Sequence, residues 1–484
     1  MHKIKKIEIH KKFQKYSNKL FSSERKVTNY ITLLFGNMVI RGLNLISFSV
    51  LSRLIGPMWL GIFSIAKSYV GITAPLLNGG IPPLLLRKFT EISNFENIQE
   101  IYKFILKSFL KVCIIGYSVL LIGGIVLYYN NFNISILIFI LLTIELFNNI
   151  YNIEFTIAQY KNTFKRVINY QILFSIIWLF CITIGVFLIK IKMEIKHLLF
   201  LSVATYGIVI IFINIKVILK EVALFFKLRL KEIIRYKVNS LEWFSLLKDS
   251  FPYSLSPFIS LIYYQSDIIL LSKFNIKPID IGFYASAYKI IGVFFIIPSL
   301  VSTVTIREGY IQYNKMKSKF LPFYTQILLL LSLIGIGFDI ILLFSHKFLV
   351  RFILGNKFIK SSLILNMLIP YLYLRFINYG AGDILTASYQ QTLRLKMQFI
   401  AAGANILLNI FLIPKKGIIG AVISTILSEK ILLVLYLTYS VNLIGKIYKS
   451  RWSYKQLYFI IIKVFTIFFI LLIITFKYDI SLGE

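Results

Sequence analysis

Metal-binding and redox side chains are almost missing from this sequence: two cysteines and four histidines in 484 residues. Cys113 and Cys181 both fall inside apolar runs, with neither the spacing nor the setting of a disulfide or a zinc site. His2, His10, His197 and His346 are scattered, which leaves no histidine cluster for a metal. Acids are scarce as well, 20 Asp and Glu against 54 Lys and Arg. The outside connectors are all shorter than about 20 residues and hold no acid pair or metal motif, so the chain is expected not to be an enzyme. The first residues, MHKIKKIEIHKKFQKYSNKLFSSERK, hold no apolar stretch of the secretory-signal kind and are expected to stay as a cytoplasmic arm.

Charge of either sign is thin, 15% of residues, while 58% are hydrophobic; soluble domains carry roughly 25% charged residues. Apolar runs of about 20 residues, enough to cross ~30 Å of hydrocarbon, recur from residue 28 to residue 476. They leave no soluble domain over. The net charge of +34 does not indicate nucleic acid, because the basic residues lie in short segments between apolar runs and form no basic domain. Part of the excess reflects a general preference for Lys, Ile, Asn and Phe.

The expected fold is an all-α integral membrane protein of about 13 spans (12–14): 29–51, 59–81, 104–129, 134–159, 167–189, 197–219, 250–272, 280–305, 321–345, 361–385, 395–413, 418–440 and 456–476. Lys and Arg favour one set of connectors by about three to one, which puts the N-terminus in the cytoplasm. The segment FFKLRLKEIIRYK in the longest connector is expected to lie on the membrane surface.

One passage is written twice. LSRLIGPMWLGIFSIAK (Leu51 to Lys67) returns as LSKFNIKPIDIGFYASAYK (Leu271 to Lys289), with Gly61-Ile62-Phe63 aligned on Gly282-Phe283-Tyr284. The copies cross in the same direction, and parallel repeats of this kind build many transporters. The expected organisation is a basic arm (1–28), an N-terminal lobe of about six helices (29–219), an amphipathic connector (220–249), a C-terminal lobe of about six helices (250–440), and a connector, extra helix and tail (441–484). The two lobes would flank a central cavity. Pro75, Pro252, Pro257, Pro298 and Pro370 fall in or beside spans, where each removes a backbone donor and can bend a helix.

A charged side chain at mid-bilayer costs roughly 2.5–3.5 kcal/mol and persists only facing protein or water. Several spans carry such groups in polar stripes at helical spacing: Asn37, Arg41 and Asn44; Ser64, Lys67, Gly71 and Asn78; Ser256, Ser260, Tyr263 and Asp267; Ser286 and Lys289; Arg375, Asn378 and Gly382. Asn and Ser in such stripes serve either as interhelical hydrogen-bonding groups or as cavity lining. Lys67 and Lys289 sit deep in their spans and favour a wet cavity over snorkelling. Lys430 and Lys463 read as structural, Lys430 beside Glu429. Among the acids, Glu145 heads a long stripe with Asn149, Asn152, Thr156 and Gln159, while Glu154 points away from it. Asp267 is either a proton- or cation-holding carboxylate or a salt-bridge partner. Asp383 is unassigned, and Asp339 lies near enough to a span end to face solvent.

Basic residues outnumber acids within the striped spans, and such a cavity draws anions. Arg binds phosphate in bidentate fashion and Lys binds it as a point charge. The candidate anion- or diphosphate-binding set is Arg41, Lys67, Lys289 and Arg375, with Asn37, Asn44, Ser64, Ser260 and Asn378 as polar lining. Asp267 and Glu145 are candidates for coupling to H⁺ or Na⁺. No other cofactor is expected.

The passages LSRLIGPMWLGIFSIAKS and QSDIILLSKF…IGFYASAYKIIGVFFIIPS, with RFILGNKFIKSS and LIPKKGIIGAVISTILSE further on, resemble the Wzx-type polysaccharide-lipid flippases of bacterial surface-glycan assembly. These belong to the multidrug/oligosaccharidyl-lipid/polysaccharide (MOP) exporter superfamily. The resemblance runs from about residue 28 to 440 and is a diffuse pattern of Gly, Pro and charge. It implies two lobes in a V around a cationic cavity in the bacterial inner membrane. It also implies alternating access for a polyprenyl-diphosphate-linked oligosaccharide used for O-antigen, capsule or related glycans, with polysaccharide-assembly proteins as further partners. Family members usually have twelve or fourteen spans, so thirteen leaves the tail open. The alternatives are a multidrug exporter of the same superfamily and, third, a membrane glycan polymerase. The short outside connectors argue against the polymerase.

Overall fold

The computed structural model describes residues 23–91, 95–161, 164–189, 194–224, 235–315 and 317–448, and every regular element among them is a helix. In chain order these are α1 (Ser23–Leu77), α2 (Ile81–Glu91), α3 (Phe95–Leu127), α4 (Phe132–Lys161), α5 (Phe164–Ile189), α6 (Ile195–Leu224) and α7 (Ser240–Lys273). Then come α8 (Pro278–Phe294), α9 (Ile296–Lys315), α10 (Lys317–Leu354), a 3₁₀ turn (Asn356–Phe358), α11 (Ser361–Met367), α12 (Ile369–Ala387), α13 (Gln391–Lys416) and α14 (Ile418–Tyr448).

Nine of the described helical stretches are long and apolar enough to cross a membrane, or ten if the bent pair within α7 counts as one span. The difference from about 13 has local causes. Expected spans 1 and 2 form one 55-residue helix, α1, which breaks at Gly56 (φ 72°, ψ 175°). A straight helix of that length would be about 80 Å long, far beyond ~30 Å of hydrocarbon. Only glycine takes that backbone conformation readily, and Pro57 after it restarts a helix at no cost in hydrogen bonds. The tenth expected span falls on α11 and α12, whose apolar runs are shorter. The thirteenth, with Lys463, lies outside the described residues, as do most of the N-terminal arm and of the connector's FFKLRLKEIIRYK.

The chain forms two compact units. One contains the described residues up to Phe48, Thr73–Asn130 and Ile138–Leu255. Its core joins Ile81, Leu84, Leu85 and Phe89 of α2 to Tyr102, Ile105, Leu106, Phe109 and Cys113 of α3, Ile153 and Ile157 of α4, and Leu246 of α7. α2 is short and amphipathic: Ile81, Leu84, Leu85 and Phe89 are buried in this core, while Pro83 and Arg87 are exposed on its other face. Asn78 donates to Asn149 (3.2 Å), which also accepts from Asn152 (3.0 Å). Amide pairing of this kind holds helices together where lipid supplies no hydrophobic drive. Tyr151 donates to the Val167 carbonyl at 2.7 Å, tying α4 to α5.

The other unit contains Ser49–Ile72, Asn131–Leu137 and the described residues from Ser256 onward. Its centre is α12, which is buried nearly all round, its polar Asn378 and Asp383 included. α9, α10 and α14 pack against it, and α13 pairs with α14. Gly335 of α10 rests against Tyr373 and Phe376 of α12, and Gly380 of α12 rests against Leu328 and Leu331 of α10. The C-terminal carbonyls of α10 are capped from α1: Ser49 and Arg53 donate to Ile353, and Arg53 also to Phe352.

Candidate functional site

The duplicated passages meet each other. A Cβ on Gly61 would overlap the carbonyl oxygen of Pro278 and crowd the Gly282 nitrogen. A Cβ on Gly282 would overlap the Pro57 carbonyl and crowd the Gly61 nitrogen. The contact is reciprocal, with the first turn of each copy's helix lying on the first turn of the other. No other residue type allows backbones so close.

Two turns further along each helix stands a lysine. From Gly61 to Val70 every residue is buried except half-buried Ser64 and exposed Lys67. From Ile281 to Ile291 every residue is buried except half-buried Tyr288 and exposed Lys289. The two ammonium groups are close enough to feel each other's charge, and among the described residues neither has a carboxylate partner. Lys67 Nζ lies 5.6 Å from the centroid of the Phe63 ring, within cation–π range. The structure therefore places Lys67, Lys289 and Ser64 in one unit, the two lysines forming a like-charged pair without a carboxylate.

Arg375 is in a different situation. It makes an ion pair with Glu429 at 3.0 Å, with side-chain exposures of 12% and 0%, so the pair is buried. Tyr264, Tyr379 and Phe295 surround the guanidinium at 4.6, 5.2 and 5.9 Å. Asn378 donates to Glu429 Oε1 at 2.8 Å and to its carbonyl at 3.0 Å, and Tyr263 donates to Oε2. Glu429 thus pairs with Arg375 and not with the adjacent Lys430. Successive helical residues do not face each other. A small open cleft lies beside the pair, lined by Ser260, Tyr263, Tyr264, Arg375, Gln398 and Leu432.

One helical turn away, Asp267 is 3% exposed and sits in a cage of neutral donors. Tyr284 and Thr425 donate to Oδ2, both at 2.7 Å, and Asn409 donates to Oδ1 at 2.6 Å. Asn405 extends the network through Asn409, Ser266 and Ser428. Of the two sequence alternatives for Asp267, the described residues show no ion pair. The caging residues went unnoticed in the sequence, although Asn405 with Asn409 and Thr425 with Glu429 are each spaced i, i+4 along one helix face.

The remaining site candidates, Asn37, Arg41, Asn44 and Glu145, lie in the first unit. Asn37, Arg41 and Asn44 are exposed along α1. Glu145 is half-buried, with the Asn148 amide at 3.4 Å. Asp339, expected to face solvent, is instead fully buried, because α10 runs on past it to Leu354. No group of three or more His, Cys, Asp or Glu among the described residues could hold a metal.

No family model and no curated protein matches the chain. Solved structures do. The lipid II flippase MurJ in an inward closed conformation aligns over 94% of this chain and 98% of its own, with TM-score 0.65 and 16% identity. An inward-facing multidrug resistance MATE family transporter of the MOP superfamily aligns over 87% and 96%, with TM-score 0.60 and 12% identity. A MOP superfamily transporter from Pyrococcus furiosus, whose binding pocket is described as reversed in polarity, aligns over 89% and 98%, with TM-score 0.56 and 14% identity. The chain thus has, over almost its whole length, the fold shared by the lipid II flippase MurJ and the MATE transporters of the MOP superfamily.

Proposed function

We propose that this protein is a flippase that moves a polyprenyl-diphosphate-linked oligosaccharide across the bacterial plasma membrane for surface polysaccharide assembly. It would work by alternating access, with the N-terminus in the cytoplasm. The observation that carries the reading is the Lys67–Lys289 pair. Two ammonium groups held near each other without a carboxylate cost energy in a bundle unless a polyanion answers them, and a diphosphate supplies charge at the matching scale. Arg41, with Asn37 and Asn44, is a further cationic candidate. Arg375 contributes less, because Glu429 already answers its charge. The fold shared with the lipid II flippase MurJ supports the same reading.

In cells, Lys67→Ala and Lys289→Ala at normal membrane levels are expected to reduce surface glycan display to that of a gene deletion. Lipid-linked oligosaccharide should then accumulate on the cytoplasmic leaflet. Full display by both variants would refute the cationic site. The second reading, a multidrug exporter, rests on the MATE neighbour. An exporter of organic cations would prefer an acidic cavity, and the exposed lysine pair makes this one basic. Unchanged resistance to cationic drugs on deletion would dispose of it.

Coupling to a cation or proton belongs in this proposal at Asp267, with Glu145 the second candidate. Asp267→Asn keeps the shape of the cage and removes its charge. It is expected to fold and to abolish any dependence of flipping on a sodium or proton gradient, measured in proteoliposomes. Asp267→Ala would remove the acceptor shared by Tyr284, Thr425 and Asn409 and lose about 1–3 kcal/mol of stability. An unchanged gradient dependence in Asp267→Asn would exclude this carboxylate.

A further inference from the structure

Asp339 belongs neither to the lysine pair nor to the two polar clusters. It lies within α10, its exposure is 0%, and neither carboxylate oxygen has a hydrogen-bond partner. The packing around it is aromatic and tight. Phe338 packs at a tilt against Phe294 of α8 and Phe376 of α12, with centroids 5.1 and 6.1 Å away. Gly335, one turn earlier, admits Tyr373 and Phe376 against the backbone. The one titratable group within electrostatic reach is the Tyr373 phenol of α12, and its hydroxyl is engaged with Ser332 at 2.9 Å. No charged group from α8, α9, α11, α12 or α14 acts on Asp339. Along α10 itself, His346 lies two turns on, turned to the Ser362 carbonyl at 3.1 Å.

An ionised carboxylate cannot persist there. Removing it from water without a donor or a counter-charge costs more than taking up a proton. Asp267 is the internal comparison: it is equally buried, but three donors are aimed at it. We propose that Asp339 is a proton-binding site, occupied in this conformation by the neutral acid, which exchanges its proton when the α10–α12 seam opens to water. This site is separate from the Asp267 cage, and the proposal does not depend on the identity of the cargo.

Infrared spectroscopy of the full-length protein in lipid tests it. The wild type should show the carbonyl band of a protonated, non-hydrogen-bonded carboxylic acid. That band should be absent from Asp339→Asn and unchanged in Asp267→Asn. In heavy water the band should shift as the folded protein exchanges deuterium onto the acid. Asp339→Asn copies the neutral acid in size and should keep the wild-type thermal midpoint. If it fails to fold, Asp339→Glu, which moves the band without removing it, makes the assignment. Absence of an acid band that either variant alters would overturn the neutral acid. A band present but inert to deuterium in the folded protein would make Asp339 a structural residue and overturn the binding site.

Discussion

Replacing Glu429 with Ala is expected to destabilise the protein by about 3–5 kcal/mol, the usual cost of leaving one member of a buried ion pair uncompensated. Glu429 is 0% exposed and its partner Arg375 only 12%, so water cannot substitute for the lost charge. Asn378 and Tyr263 would lose their acceptor as well. Arg375→Ala should cost a similar amount by stranding the carboxylate. The double variant Arg375→Met with Glu429→Leu should recover most of the loss, since a buried pair replaced by apolar side chains of similar volume is often neutral or better. Unfolding midpoints in detergent of the wild type, Arg375→Met, Glu429→Leu and the double variant form a double-mutant cycle. Additive losses would show that the two groups do not act as a pair.

The second large effect is expected at the glycine contact. Overpacking a well-fitted core costs about 1–3 kcal/mol when side chains can yield. Here the overlapping atoms are the backbone carbonyls of Pro278 and Pro57, so the two helix starts must separate. Gly61→Leu or Gly282→Leu should therefore open this face. Leu60 and Ile281 are both 0% exposed. A cysteine placed at either, in a background lacking Cys113 and Cys181, should be inert to a maleimide in the parent. With the leucine substitution it should become reactive by an order of magnitude or more. On the proposed orientation this is the outer end of the protein, and surface glycan display should fall with it. Persistent protection in both leucine variants would mean that the contact does not hold the face closed.

How much of this was legible beforehand differs from one feature to the next. Apolar run length and the loop at Gly56-Pro57 made the helical architecture readable, because both are local signals. The repeat was visible as words in the sequence, but its meaning was not. Nothing in a linear pattern tells that Gly61 and Gly282 would lie against each other's proline carbonyls. The polar stripes placed Asp267, Arg375 and Asn378 on defined helix faces. They could not say which stripe faces which, so Glu429 was noted only as the neighbour of Lys430 and the Asn409–Thr425 cage passed unnoticed. Asp339 was misplaced for the complementary reason. A lone acid near the end of an apolar run looks solvated until the helix proves to continue and α12 covers it.

The crossed glycine contact has the form of a two-fold interface: the first copy touches the second with the same atoms by which the second touches the first. Such isologous geometry is ordinarily found between separate identical subunits. Folded into one polypeptide, it makes residues 57 and 61 answerable to 282 and 278, and not to each other. Any enlargement tolerated at position 61 must be matched at 278, and any at 282 must be matched at 57. Related chains aligned on this passage would then show diagonal covariation linking the first quarter of the molecule to its middle.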